Sequence, residues 1–188
     1  MRKLIYFTMA SLDGFMDKPD RNLDWIIVDE ELHTSINQRE REVGVYLYGR
    51  RMYELMQAYW PTADTQSSLP FEAEFSRIWK EIPKIVFSTT LERVEGNARL
   101  VRGNVVEEVT RLKEQPGKDI EVGGANLAST LIRSGLVDEY RIFVQPVVLG
   151  AGTPMFPALD QAIKLRLIES RPFSTGVVFL RYRSDMQK

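Results

Sequence analysis

The chain switches repeatedly between short β-branched runs and amphipathic stretches. Residues 3–9 read as a strand, followed by a loop holding Asp13-Gly14, Pro19-Asp20 and Asn22. Leu32, Ile36, Arg39 and Val43 keep roughly helical spacing through a highly charged segment. Val43 to Tyr48 is a second strand closed by Gly49. Met52, Leu55, Met56 and Tyr59 then fall at i, i+3, i+4 and i+7, which predicts a helix starting directly after that glycine and stopping at Trp60-Pro61. Residues 62–70 read as a polar connector. Phe71, Phe75, Ile78, Trp79 and Ile82 line one face of the next helix, which Pro83 closes.

Lys84 to Ser88 and Ala98 to Val101 read as strands, and Val105, Val109 and Leu112 mark a helix ending before Pro116-Gly117. Asp119 to Val122 is a strand feeding Gly123-Gly124. Leu127, Ala128, Leu131 and Ile132 mark the helix after it, with Gly135 as C-cap. Tyr140 to Leu149 is a long strand interrupted at Pro146, and Leu165 to Ile168 and Val177 to Arg183 are strands with no helix between them. Strand and helix alternate through the first two thirds, and the last third is β-rich. That order predicts an α/β fold: a mostly parallel central sheet flanked by helices, finished by antiparallel C-terminal edge strands.

The 188 residues, 44% of them hydrophobic, suit one domain spanning 1–188. The net charge of −1 gives no electrostatic reason to expect nucleic acid or an acidic membrane as partner. No apolar stretch is long enough to span a bilayer. The start, Met1-Arg2-Lys3 and an apolar run, superficially suggests a signal peptide, but the run is short and is broken by Asp13-Gly14 and Asp17. It reads as the first strand, and a cytoplasmic protein is expected. The absence of cysteine removes disulfides, thiolate nucleophiles and cysteine-ligated metals. The single histidine, His33, rules out a multi-histidine metal site, so no metal is expected; His33 itself is expected on a helix surface.

Three strand-to-helix junctions offer groups for an anion, at the strand ends where α/β proteins bind ligands. In Gly49-Arg50-Arg51, arginines at a positive helix start suit a phosphate held between them, or are two solvated surface residues. In Gly123-Gly124-Ala125-Asn126, paired glycines allow close approach of a pyrophosphate, or simply tight strand–helix packing. In Phe87-Ser88-Thr89-Thr90, hydroxyls bind phosphate or cap a turn. The three together point to a phosphorylated nucleotide. Asp13, Asp29 and Glu30 are the candidate acids in an acidic loop that also holds Asp17, Asp24 and Trp25, where a carboxylate beside an aromatic ring could relay a proton. Gly150-Ala151-Gly152-Thr153-Pro154 shapes a pocket or turns the chain.

The order of these motifs resembles the dihydrofolate reductase-like superfamily over nearly the whole chain. Within it, the resemblance is to stand-alone proteins similar to the reductase domain of the bifunctional riboflavin-biosynthesis deaminase/reductase. It is carried by Ser11-Leu12-Asp13-Gly14-Phe15, Gly49-Arg50-Arg51-Met52-Tyr53-Glu54, Asp119-Ile120-Glu121-Val122-Gly123-Gly124 and Val137-Asp138-Glu139-Tyr140. The most specific segment is Gln145-Pro146-Val147-Val148-Leu149-Gly150-Ala151-Gly152-Thr153-Pro154-Met155-Phe156. The resemblance implies a three-layer fold and NADPH-dependent hydride transfer. It implies Arg50 and Arg51 on cofactor phosphates, Ser88 and Thr89 near the adenosine 2′-phosphate, and Gly123, Gly124, Ala125 and Asn126 around the pyrophosphate. The backbone around Met9 and Ala10 would lie against the nicotinamide, a placement also suggested for Gly150 and Gly152.

Two departures stand out. Met52 occupies the place where dihydrofolate reductases usually carry a phosphate-binding threonine. Trp25, the expected substrate-side aromatic, is followed by both Asp29 and Glu30, where the pattern has one acid. The deaminase half of the riboflavin enzyme needs zinc held by His and Cys, which this chain cannot supply. The leading expectation is thus an NADPH-dependent reductase of a pterin-like or ribosylaminopyrimidine-like small molecule. A non-catalytic nucleotide- or pterin-binding module is the alternative, and a dimeric scaffold a third reading. A homodimer is expected from Val177-Val178-Phe179-Leu180, an apolar run that pairing of sheet edges would cover.

Overall fold

The structure, a computed structural model, describes residues 1–185. In chain order the elements are β1 (Leu4–Ser11), α1 (Glu30–Glu40), β2 (Val43–Gly49), α2 (Arg50–Gln57), α3 (Trp60–Gln66), α4 (Pro70–Glu81), β3 (Lys84–Phe87) and β4 (Ala98–Val101). Then come α5 (Val105–Glu114), β5 (Asp119–Gly123), α6 (Ala125–Arg133), β6 (Glu139–Gln145), β7 (Leu165–Pro172) and β8 (Val178–Ser184). The strands form one sheet in the order β4-β3-β2-β5-β1-β6-β8-β7. The first six are parallel; β8 runs antiparallel to β6, and β7 antiparallel to β8. This is the expected parallel sheet with an antiparallel edge.

Strands covered on both faces lose the alternation of a half-exposed sheet, which is why β3 reads as four consecutive buried residues. One face, through Leu4, Tyr6, Leu47 and Val122, packs on Val109 of α5 and on Leu127 and Leu131 of α6. The other, through Tyr46, Tyr48, Phe143 and Phe179, packs on Leu32 of α1 and on Phe75 and Trp79 of α4. Three layers result. Among the described residues no helix is long and apolar enough to cross a membrane.

The second face also buries charge. Glu139, fully buried, accepts from Arg141 Nε at 2.9 Å and from Arg181 Nε and Nη2 at 2.8 and 2.9 Å. Farther along, Glu40 of α1 accepts a hydrogen bond from Tyr46 Oη at 2.7 Å. Glu121, next to Tyr46 in the strand register, joins Glu40 in that apolar space, and Glu121 Oε2 has no hydrogen-bond partner. Burial raises both carboxyls above the usual range, Glu40 to about 7.

Five expectations need correction. Trp60-Pro61 opens a helix instead of ending one, because proline is tolerated in the first helical turn, where no N–H donor is needed. The supposed connector 62–70 is therefore mostly α3 and the start of α4. His33 is buried on α1, its ring against Trp60, Phe71 and Phe75 and its Nδ1 3.2 Å from Asn37 Oδ1. Burial in that aromatic nest lowers its pKa. Lastly, Val177-Val178-Phe179-Leu180 is not at an edge. It enters β8, which is paired on both sides, and Val177 and Phe179 are fully buried. The strand predicted over 140–149 also closes early, at Gln145, because Pro146 has no N–H for a ladder.

Candidate active site

Because β1, β2, β3, β5 and β6 are parallel, Ser11, Gly49, Phe87, Gly123 and Gln145 end on the same side of the sheet. Tyr48 pairs with Gly123, so α2 and α6 start side by side. Gly49 and Gly124 are the N-caps; neither provides a side-chain cap, and neither helix has an acidic residue in its first turn. No side-chain cap meets the first N–H groups of either helix, an arrangement suited to an anion. Gly124 has φ +92°, and a Cβ there would lie 3.2 Å from Met52 Cβ. A Cβ on Gly123 would be 3.3 Å from Met52 Cε. The glycine pair does serve close packing, and the same closeness brings the two helix starts to one place.

The third junction joins them. Arg50 Nε is held by Glu54 at 2.8 Å, and its Nη1 donates to Thr90 Oγ1 at 3.0 Å. Ser88 Oγ accepts from the backbone N–H of Thr90 and Leu91 at 3.2 and 3.0 Å, which folds this segment into a tight turn. Thr89 is exposed. Its carbonyl accepts from Arg102 Nη1 at 3.0 Å, and Arg102 Nη2 reaches the Leu91 carbonyl at 2.5 Å.

Arg51 turns the other way, with Nη2 3.0 Å from Asp17 Oδ2. Asp17 is buried, and its Oδ1 accepts from Thr153 N at 2.9 Å. Burial pushes the Asp17 carboxyl up, but the bonds from Thr153 and the Arg51 charge outweigh it and hold the pKa below the ordinary value. This ion pair fastens the start of α2 to two loops, 11–17 and 147–155, which are zipped together. Met16 N donates to the Thr153 carbonyl, Met155 N to the Gly14 carbonyl and Leu12 N to the Val147 carbonyl, all within 2.8–2.9 Å. At Gly152 the fit is closest: a Cβ would stand 1.8 Å from the Asp17 carbonyl oxygen. Gly150, at φ +77°, has open space instead.

Asp13 closes the same loops. Its carboxylate accepts from Ser11 Oγ at 2.6 Å, Leu149 N at 3.1 Å and Gly150 N at 2.7 Å. The Ser11 hydroxyl first, then the two amides, lower its pKa to about 2. The three candidate acids are not gathered in one place. Asp29 is the N-cap of α1, accepting from Leu32 N at 2.9 Å, with Oδ2 3.5 Å from Ser174 Oγ. Glu30 faces a shallow groove between α1 and α4, beside Thr34, Arg41 and Phe71, rather than the strand ends. Trp25 lies half-buried in the 22–29 loop, with Nε1 3.2 Å from the Asn22 carbonyl. Met9 is half-buried on β1 beside fully buried Ala10. Among the described residues no group of three or more His, Cys, Asp or Glu is set to hold a metal.

Sequence reasoning left out Arg102 and gave Thr153 and Asp17 no role of their own. Asp17 meets Thr153 across 136 positions, a separation no local pattern reports. Arg102, directly after β4, has a partial signal in the strand that precedes it.

The model of the RibD C-terminal domain family matches residues 2–179. The chain belongs to this family. This RibD C-terminal domain is also similar to the uncharacterized Bacillus subtilis (strain 168) protein YyaP, 36% identical over 182 residues, covering 96% of this chain and 94% of YyaP. Among solved structures, a Shewanella sp. PV-4 protein named for riboflavin biosynthesis superposes with a TM-score of 0.74 at 22% identity, covering 97% of this chain and 99% of that one. A dihydrofolate reductase of Enterococcus faecalis, complexed with NADP(H), superposes with a TM-score of 0.64 at 14% identity, covering 97% and 96%. These likenesses establish the dihydrofolate reductase-like fold of this RibD C-terminal domain.

Proposed function

We propose that this RibD C-terminal domain is an NADPH-dependent reductase of a pterin-like or ribosylaminopyrimidine-like small molecule. One observation carries the reading: two uncapped helix starts meet at the strand ends, with Arg50 spanning from one of them to the Ser88–Thr90 turn. The residues present fit a dinucleotide carrying an extra phosphate. Gly49, Arg50 and Arg51 with the first amides of α2, and Gly123, Gly124, Ala125 and Asn126 with those of α6, would hold the phosphates. Ser88 and Thr89 would receive the 2′-phosphate, and Met9, Ala10, Gly150 and Gly152 would border the nicotinamide. When bound, NADPH supplies hydride to a C=N or C=O carbon.

The chain supplies position and exclusion of water. Asp13 holds Gly150 against β1, and the Asp17–Arg51 pair ties the start of α2 to the loop around Gly152. Ionised Asp13 has no proton to give at neutral pH, so in this reading the substrate proton comes from an ordered water or from the Asp29 side of the pocket, with Trp25 over the substrate. The same features favour a second reading, a module that binds the nucleotide without turnover. Titration with NADPH and NADH, followed by a screen for NADPH oxidation, separates the two.

Replacing both Arg50 and Arg51 by alanine is expected to raise KM for NADPH about 10- to 100-fold, the size of one or two lost charge-assisted bonds, with a smaller change in kcat. Unchanged affinity for NADPH would place the phosphates elsewhere. The second copy expected from the sequence is assigned to the outer edge of β7, where Leu167 and Ile168 are 50% and 38% exposed. Sedimentation should return twice the chain mass, and Leu167→Lys should return the single mass.

A further inference from the structure

Gln145 is the last residue of β6 and is fully buried, opposite Ser11 in the strand register. Its carboxamide has one fixed bond: Ile27 N donates to Oε1 at 2.9 Å. That N–H settles which end of the amide is oxygen, because a flipped amide would set two donors against each other. Nε2 therefore points away from Ile27, and it has no partner. A buried amide donor left unpaired is uncommon in folded proteins and calls for an explanation.

The surroundings supply one. Gln145 lies where the candidate site meets the 22–29 loop, on the sheet face shared with Met9 and Phe143. Pro146, the next residue, packs against the turn around Gly176, and Thr175 Oγ1 in that turn is a second buried polar atom without a partner. Ser174, beside it, is 3.5 Å from the N-cap carboxylate of Asp29. Two unsatisfied polar atoms thus belong to the segments that converge under one loop, clear of the two helix starts assigned to phosphate.

We propose that Gln145 is the specificity residue for the substrate ring, reading a lactam edge, the O=C–N–H unit common to pterins and to uracil-type pyrimidines. Nε2 donates to the ring carbonyl. Oε1, which keeps one lone pair beside the Ile27 bond, accepts from the neighbouring ring N–H. A carboxamide and a lactam are mutually complementary, and a buried pair of this kind rejects a ring that presents an amino group in place of the carbonyl. The inference rests on the reductase reading and narrows it to substrates that present such an edge.

The test uses the whole protein, loaded with NADPH, and two probes: 7,8-dihydropterin and 5-amino-6-(5-phosphoribosylamino)uracil. Binding is read by calorimetry and turnover by NADPH absorbance. Gln145→Glu keeps the acceptor for Ile27 and replaces the donor with a second acceptor. Gln145→Leu keeps the volume and removes both. Each variant should weaken binding and raise KM for the accepted probe at least about tenfold, with NADPH affinity unchanged. Gln145→Glu should narrow or reverse the preference over the matching 2,4-diamino ring. If the wild type takes a probe and both variants bind it as tightly, the Gln145 assignment is wrong and the reductase reading stands. If the wild type binds NADPH but neither probe, lactam recognition is overturned. If it binds no NADPH, the reductase reading falls and this assignment with it.

Discussion

Gly152→Ala is expected to lower Tm by about 6–12 °C and to remove most of the turnover. A methyl group at this position would lie 1.8 Å from the Asp17 carbonyl oxygen, and the neighbour is backbone, which cannot swing aside. The φ of +153° adds strain for any residue with a Cβ. Relief requires the 147–155 loop to part from the 11–17 loop, undoing the Thr153–Asp17 bond and the contacts of Asp13 with Leu149 and Gly150. An overpacked and strained site of this kind costs about 3 kcal/mol, and each kcal/mol moves Tm by about 2–4 °C in a chain of this size. The same displacement shifts the strand-end loops by an ångström or more, enough for about a 100-fold loss in kcat/KM. Gly150→Ala is the control, since its Cβ would meet open space and only the φ penalty applies. A Gly152→Ala protein melting within a degree of the parent would show that the two loops are not locked together.

A second large effect comes from the carboxyls buried between α1 and the sheet. In the folded chain Glu40 is raised by burial to about 7, whereas in the unfolded chain it returns to the ordinary range near 4.5. The folded state therefore keeps a proton that the unfolded state releases. The stabilisation is fully present below the ordinary carboxyl range and is lost as pH rises through the raised value of the folded chain. Above pH 7 this group adds no further slope. Glu40→Gln preserves an acceptor for Tyr46 and cannot ionise. Its Tm should match the parent's near pH 4.5 and exceed it by several degrees at pH 8. Thermal melts across that range decide the matter, and parallel curves for the two proteins would sink the idea. Carboxylates held low, such as Asp13 and Asp17, act in a separate window, losing their contribution as pH falls toward their own lowered values.

What the sequence discloses here depends on how local the cause is. The alternation of strand and helix is legible because the switch between periods of two and 3.6 is written in neighbouring residues. The three strand-to-helix junctions are legible for the same reason, as glycines, arginines and hydroxyls at strand ends. Reading Trp60-Pro61 as a stop failed because proline blocks a helix interior but suits its first turn. The apolar run at 177–180 misled because chain order does not reveal strand order: β8 lies inside the sheet, and the earlier strand β7 is its edge. His33 gave no hint that three aromatic rings from α3 and α4 would enclose it. Asp17 and Gln145 make their deciding contacts with residues more than a hundred positions away; the motif that starts at Gln145 marks the family but does not show what its carboxamide meets.

The position of β5 has a further consequence, for the order in which the protein can be made. β1 and β2 are neighbours in sequence, yet they do not touch in the sheet, because β5 lies between them. On the ribosome the inner edges of both strands exist long before the strand that joins them. About 70 residues separate the end of β2 from the start of β5, which at 5–20 residues per second is about 4–14 s of translation. Throughout that interval the nascent chain exposes two hydrophobic strand edges with nothing to pair with. A chain released before residue 119 lacks the central strand altogether. Such a fragment carries two unpaired strand edges and is expected to be aggregation-prone.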